Sequence, residues 1–292
     1  MRDFDLWKKV RDKMSIQDRA EILGGPPSGW EEYFGGDESG TDKGRVVILH
    51  ETQRPVDEDT AIAALDPERP YGPPLRIRYS LEDLGWQEAA AKQDKEIRQL
   101  LDNVGVDLAR FAVFGLSHVP LLIHLGFLLT DRVDVRLFQY HRDAGSWDWA
   151  DAPEGERKLV RISGFPESRV EGETDVTVRV SLSARISPAD TRKWVGAESP
   201  EIDLEVAEPD VLWLQEPGQL TELRKAFREV LKNIRNGFPD CSRIHLFYAG
   251  PAPGAVALGQ SINPTMNPPV VTYDYDYNRT PRYEEALTLS GL

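Results

Sequence analysis

The residues with the clearest chemical potential form a glycine- and proline-rich turn: Ala249, Gly250, Pro251, Ala252, Pro253 and Gly254. The turn follows an apolar run over residues 244–248 and precedes a run of small residues over 255–260. Its side chains offer almost nothing, so any chemistry must come from the backbone. A strand, a tight turn and a helix in that order leave unpaired N–H groups and the positive end of a helix dipole at the strand's carboxyl end. That geometry suits an anion such as phosphate. The spacing is neither G-x-G-x-x-G nor a Walker loop, because no Lys-Ser/Thr pair follows the glycines. On this segment alone, an ordinary βα turn explains the residues as well.

The segment has a counterpart. Moving the sequence back by 133 residues, so that Ile244 falls on Phe111, lays residues 244–259 over 111–126 without a gap. Phe247 then meets Phe114, Pro253 meets Pro120, and Leu258-Gly259 meets Leu125-Gly126. Residues 270–273 fall on 137–140, and Arg243 on Arg110. The identities are few, but helix, strand, turn, helix and strand recur in the same order. The chain therefore reads as an internal duplication of one α/β unit. The first copy's turn is Gly115, Leu116, Ser117 and His118, with His118 at the position of Pro251.

Open α/β sheets bind ligands beyond the carboxyl ends of their strands. Two such units facing each other across a pseudo-two-fold would bring both turns to one cavity. Two clusters of N–H donors there suit a compact ligand with several phosphates and several bases. Tyr248, Trp147 and Trp149 are the aromatics available to stack on those bases, although a flap over the core accounts for the two tryptophans slightly better. Replacing Gly254 with a bulky residue is expected to block the site and spare the fold.

Other chemistry is hard to find. There is no G-x-S-x-G elbow, no H-E-x-x-H and no paired Cys/His set, so neither catalytic nor metal-binding residues are assigned. The single cysteine, Cys241, excludes a disulfide framework and suits a reducing compartment. With no signal peptide visible, a cytoplasmic location is expected. Asp274 and Asp276 alternate with Tyr273, Tyr275 and Tyr277 and read as the solvent-facing side of an edge strand. A net charge of −14 argues against a duplex nucleic-acid binder, which carries a basic footprint. Residues 111–130 hold no charge, yet Gly115, Ser117, His118 and Pro120 interrupt them where a strand-to-helix turn belongs, so no membrane insertion is expected.

The remaining elements must position these turns. Residues 1–34 carry apolar residues three and four apart and predict a short N-terminal helical segment, followed by a polar linker over 35–44. The first unit spans 45–150, with strands over 45–50, 75–80, 111–114 and 133–140 and helices over 86–104 and 120–129. The second spans 151–292, with strands over 158–163, 176–182, 202–206, 244–248 and a final one over 270–277. Its helices cover 220–236 and the segment after Pro253, with a short helix or loop over 187–196. Arg224, Arg228 and Lys232 recur every four residues on one helix face, either solvated or meeting a partner.

The string from His245 through Tyr248 and Gly254 to Gly259, followed by Pro268-Pro-Val-Val-Thr-Tyr-Asp-Tyr275, resembles the C-terminal signature of SAVED domains. The first copy's turn, the Leu137-Phe-Gln-Tyr140 strand and Trp147-Asp-Trp149 fit the same family, so the resemblance covers about residues 45–292. It implies two fused Rossmann/CARF-like units in pseudo-two-fold arrangement that bind a cyclic tri- or tetranucleotide second messenger. It further implies a role in anti-phage immunity, in CBASS or type III CRISPR, through ligand-driven conformational change or homo- or hetero-oligomerisation. Such domains are commonly fused to an effector. None is recognised in this chain, so either a separate effector subunit is expected as partner or the sequence is a piece of a longer protein. The expected activity is sensing, with no cofactor beyond the cyclic oligonucleotide. Two alternatives stay open: cleavage of the ring assisted by Ser117 or His118, and an assembly scaffold that binds no nucleotide.

Overall fold

Two parallel-centred sheets carry the chain, each built from β-branched runs that are buried on both faces, as central parallel strands require. The computed structural model describes residues 44–104, 110–149, 160–172 and 174–291. The N-terminal helical segment, most of the linker and the charged residues 151–156 lie outside them. The first sheet takes β1 (Val46–His50), β2 (Leu75–Ile77), β3 (Arg110–Gly115) and β4 (Asp134–Phe138) in the order β2-β1-β3-β4, all parallel. The second takes β5 (Val160–Ser163), β6 (Thr174–Ser181), β7 (Glu201–Val206), β8 (Cys241–Ala249), β9 (Val270–Tyr275) and β10 (Tyr283–Leu289) in the order β10-β9-β8-β6-β7-β5. Its parallel centre, β7-β6-β8-β9, repeats the first sheet's order strand for strand. Antiparallel β5 and β10 flank it.

The helices repeat as well. Following the first parallel strand of each unit, β1 or β6, comes a short helix, α1 (Glu58–Ala63) or α4 (Pro188–Val195). The second strand leads to a long one, α2 (Leu81–Val104) or α5 (Pro217–Gly237), and the third to α3 (Val119–Leu129) or α6 (Ala252–Ser261). Thus the duplicated α/β unit expected from the sequence is present twice. Gly85 breaks α2 after its first turn with a left-handed φ of 70°, which explains why regular helical patterning begins only at Trp86. The sequence reading missed α1 and β10. Consequently β9 is not the last strand or an edge, because β10 pairs along its whole length. The gapless alignment also slips at the fourth strand. Phe111 pairs with Val135, whereas its counterpart Ile244 pairs with Val270, so Val270 matches Val135 and not Leu137. A shift of two keeps every side chain on the same face.

The uncharged helices α3 and α6 explain their own composition. Each packs one face on its sheet and the opposite face on the other, leaving almost no exposed side. They cross at Gly126 and Gly259. A Cβ on Gly126 would sit 2.0 Å from the carbonyl oxygen of Val256, and one on Gly259 would sit 1.9 Å from that of Ile123. The second contacts also match: Gln260 N for Gly126 and Phe127 N for Gly259. Each contact maps onto the other under the 133-residue shift, the signature of a two-fold interface. Beside it, Gln260 donates from Nε2 to the carbonyl of Thr130 and accepts from Arg224, and Arg228 meets Asp131. Two of the three regularly spaced basic residues on α5 thus serve the joint between units.

No helix among the described residues is long and apolar enough to cross a membrane.

Because the two glycines face backbone atoms that cannot rotate away, Gly126→Ala or Gly259→Ala should cost about 3 kcal/mol or more. Gly218→Ala in the first turn of α5 meets only ordinary contacts, 3.7 Å from Glu216 at the closest, and should be neutral or stabilising by about 0.5 kcal/mol. Thermal unfolding of the three variants checks the order; equal effects at 126 and 218 would contradict the backbone-contact account.

Candidate functional site

Both turns sit where the topology demands, at the carboxyl ends of β3 and β8. His118 is the N-cap of α3 and Pro251 the N-cap of α6. Neither helix receives a side-chain cap, and neither has an acidic residue in its first turn. Pro120 and Pro253 occupy early positions where a proline costs no hydrogen bond. The first-turn N–H groups of Val119, Leu121 and Ala252 are left without intrahelical partners. The two turns approach each other: a Cβ on Gly115 would lie 3.9 Å from the Cβ of Ala252. Two uncapped helix N-termini therefore converge from opposite units.

The loops after the first strands hold these turns in matching ways. Leu116 O accepts from Gln53 N and Arg54 N, and Ala249 O accepts from Leu182 N and Ser183 N. Beneath this shared frame the two halves differ. Under the first turn runs a buried polar relay. Gln93 donates from Nε2 to Leu121 O, which leaves its Oε1 to accept from His50 Nε2 at 2.9 Å. His50 Nδ1 must then accept from Ser117 Oγ, at 2.5 Å. Ser117 Oγ in turn accepts from Thr52 N and Thr52 Oγ1. Burial lowers the His50 pKa to about 4, outweighing the support from Gln93, so the ring is neutral. His124 on α3 is lowered to about 4 for the same reason.

Under the second turn the lock is a single tyrosine. Tyr248 donates its hydroxyl to Pro251 O at 2.7 Å, and the hydroxyl fills the space beside Gly250 and Gly254. Burial raises its pKa far above the usual phenol value. This corrects two expectations. The Tyr248 ring is 4% exposed and cannot stack on a base. Nor is Gly254 an open wall, since a Cβ there would sit 2.1 Å from the Tyr248 hydroxyl, so a bulky substitution strikes the fold first.

Trp147 is a further correction. It is 1% exposed, edge-on to Phe114 at 5.1 Å, in the cluster on the face of the first sheet opposite α3. Trp147 is core. Trp149 is half-buried, 6.5 Å from His141, and packs on the main core. Of the proposed residues, the structure brings together Gly115, Leu116, Ser117, His118, Ala249, Gly250, Pro251, Ala252, Pro253 and Gly254; Trp147 stands apart.

Residues given no place in the site by the sequence gather around His118. Its ring lies edge-on to Trp86 at 5.6 Å, Nδ1 is 3.4 Å from Gln53 Nε2, and Asp274 of β9 is 3.5 Å away. Trp86 donates to Glu284 of β10. One signal was present for Gln93: it falls between Ala89 and Ile97 in the buried stripe of α2, where a polar residue needs a buried partner. Asp274 was read as solvent-facing because β10 was unseen. Among the described residues no group of three or more His, Cys, Asp or Glu could hold a metal ion.

Residues 91–289, more than half the chain, match the family model described as the SMODS-associated and fused to various effectors sensor domain, SAVED. Solved structures share the fold. The Cap4 SAVED/CARF-domain containing receptor of Acinetobacter baumannii, with the cyclic trinucleotide 2'3'3'-cAAA, superposes with a TM-score of 0.55 at 16% identity, covering 84% of this chain and 51% of that one. Its form with 3'3'3'-cAAA gives the same TM-score and identity, covering 84% and 52%. The Cap4 receptor of Moraxella osloensis gives 0.50 at 15% identity, covering 86% and 50%. The chain spans about half the length of these relatives. No curated protein sequence matches it.

Two measurements test the site's internal architecture. Since His50 and His124 are depressed from about 6.5 to about 4, the unfolded chain binds more protons between those values. Stability should be full above about pH 6.5 and fall as pH drops towards 4, by about 2 kcal/mol per histidine at pH 5. His50→Gln should shallow the dependence of melting temperature on pH by one histidine's share; an unchanged slope would contradict a neutral buried His50. Separately, Gly254→Ala should destabilise more in the native background than in Tyr248→Phe, where the clashing oxygen is gone. Additive losses would show that the hydroxyl does not fill that space.

Proposed function

Because the chain belongs to the SAVED family of sensor domains, we propose that it senses a cyclic oligonucleotide in anti-phage defence. The ring binds across the joint between its two units. The observation that carries this reading is the convergence of two uncapped helix N-termini, one from each unit, beside Gly115 and Ala252. Backbone N–H groups at the first turns of α3 and α6 hold ring phosphates without needing a basic surface, which reconciles an anionic ligand with a net charge of −14. The half-exposed face of His118, steadied by Trp86, meets a base.

Sensing follows from linkage. A ring touching both turns binds best to the conformation in which they are correctly spaced, and it shifts the protein towards that conformation or an assembly that contains it. Either a separate effector subunit or a second copy of the chain then reads the change. Cyclic tri- and tetranucleotides are the expected ring sizes. Ring cleavage would need a free nucleophile or base. Ser117 argues against it: its hydroxyl is buried and its lone pairs are occupied by Thr52 N and Oγ1, so it is not open to a ring phosphate.

Thermal unfolding against a panel of cyclic di-, tri- and tetranucleotides tests the reading. A ring at about a hundred times its dissociation constant should add about 2.7 kcal/mol, or about 5–10 °C in a chain of this size. The ring should be recovered intact after incubation. No shift with any ring would overturn the sensor reading in favour of a scaffold, and linear products would overturn it in favour of an enzyme.

A further inference from the structure

Asp274 is an unusual carboxylate for its position. It lies two residues beyond Thr272 on β9, on the face shared by Thr272 and Val270, which packs against the helices. Asp274 is 9% exposed, yet no described residue donates a hydrogen bond to its carboxylate. Its one side-chain partner among the described residues is His118 Nδ1 at 3.5 Å, long for a hydrogen bond, and that nitrogen also faces the amide of Gln53 at 3.4 Å. Its side chain is 12% exposed, so the carboxylate keeps access to solvent and open lone pairs, free to accept from a donor on a bound molecule. The contact with the N-cap of α3 places that donor at the mouth between the two turns.

The matching position in the first unit has the same character. Strand register equates Val135 with Val270, and therefore Gln139 with Asp274. Gln139 spends its amide N–H on Tyr140 O, and its Oε1 is buried with no partner among the described residues. Both units thus carry an acceptor lacking a donor at the carboxyl end of the fourth strand. Phosphates cannot satisfy acceptors. Base edges can.

We propose that Asp274 is a base-reading residue that gives the site a preference for guanine at the base beside His118, an inference that rests on the cyclic-oligonucleotide reading above. An ionised carboxylate only accepts. Guanine presents N1–H and N2–H side by side, matching the two carboxylate oxygens in a charge-assisted fork. Adenine offers its N6 amino group next to the N1 lone pair, which repels the second oxygen. Uracil offers N3–H between two carbonyls, which repel both. The order guanine, adenine, uracil follows from these patterns, with each good fork worth about 10- to 100-fold in affinity.

The experiment measures dissociation constants of the full chain for cyclic triguanylate, triadenylate and triuridylate, in the native protein and in Asp274→Asn. The native protein should bind the guanylate ring most tightly. Asn offers one acceptor and one donor, the complement of adenine, so Asp274→Asn should lose about 10- to 100-fold for guanylate and gain for adenylate. An unchanged melting temperature without ligand shows that the variant folds. A native preference for adenylate or uridylate, or a base preference unmoved by Asp274→Asn, overturns the proposal and leaves the sensor reading standing. Absence of binding to any cyclic oligonucleotide removes both.

Discussion

Everything in this fold depends on two helices touching backbone to backbone. At Gly126 and Gly259 there is no room for a single methyl group, and the atoms in the way are peptide carbonyls. That contact sets the distance between α3 and α6, and the same two helices carry the two turns at their N-termini. Spacing of the glycines along the helices therefore fixes spacing of the turns in the site. The lack of charge along both helices follows, since each is enclosed by its own sheet on one side and its twin on the other.

The repeat was legible because the residues that make this contact are small and few. Leu125-Gly126 aligned with Leu258-Gly259, and Pro120 with Pro253, without knowledge of any contact. The structure shows why these positions coincide: close approach demands glycine in both copies, and a helix start tolerates proline in both. What the alignment could not carry was the fourth strand, where a two-residue slip preserves facing and so leaves no trace in an apolar pattern. Strand β10 was hidden for a similar reason. Tyr283-Glu-Glu-Ala-Leu-Thr-Leu289 alternates poorly because a bulge shifts its register between Glu285 and Leu287.

The candidate site was legible as backbone and illegible as side chains. Turn residues announce themselves through glycine and proline, whereas the groups around His118 come from three separate stretches: Gln53, Trp86, and the paired strands β9 and β10 that carry Asp274 and Glu284. Only tertiary structure unites them. Aromatic residues near the turns misled for a physical reason. Tyr248 and Trp147 have the surface a base would favour, but a folding core favours the same surface and claims it first. Gln93 shows the opposite case, a polar residue in an apolar stripe whose partner, His50, could have been sought.

The two turns belong to one chain, and this changes how the site responds to dilution. A pocket formed between two separate copies vanishes as protein concentration falls below their dissociation constant. Here covalent connection keeps the halves at an effective concentration in the millimolar range or above, whatever the protein's abundance. Formation of the joint itself then does not depend on how much protein is present. Covalent linkage has also released the halves from identity, so one could acquire a polar relay while the other kept a tyrosine lock. A ligand that is itself symmetric would meet two unlike faces and have one preferred orientation.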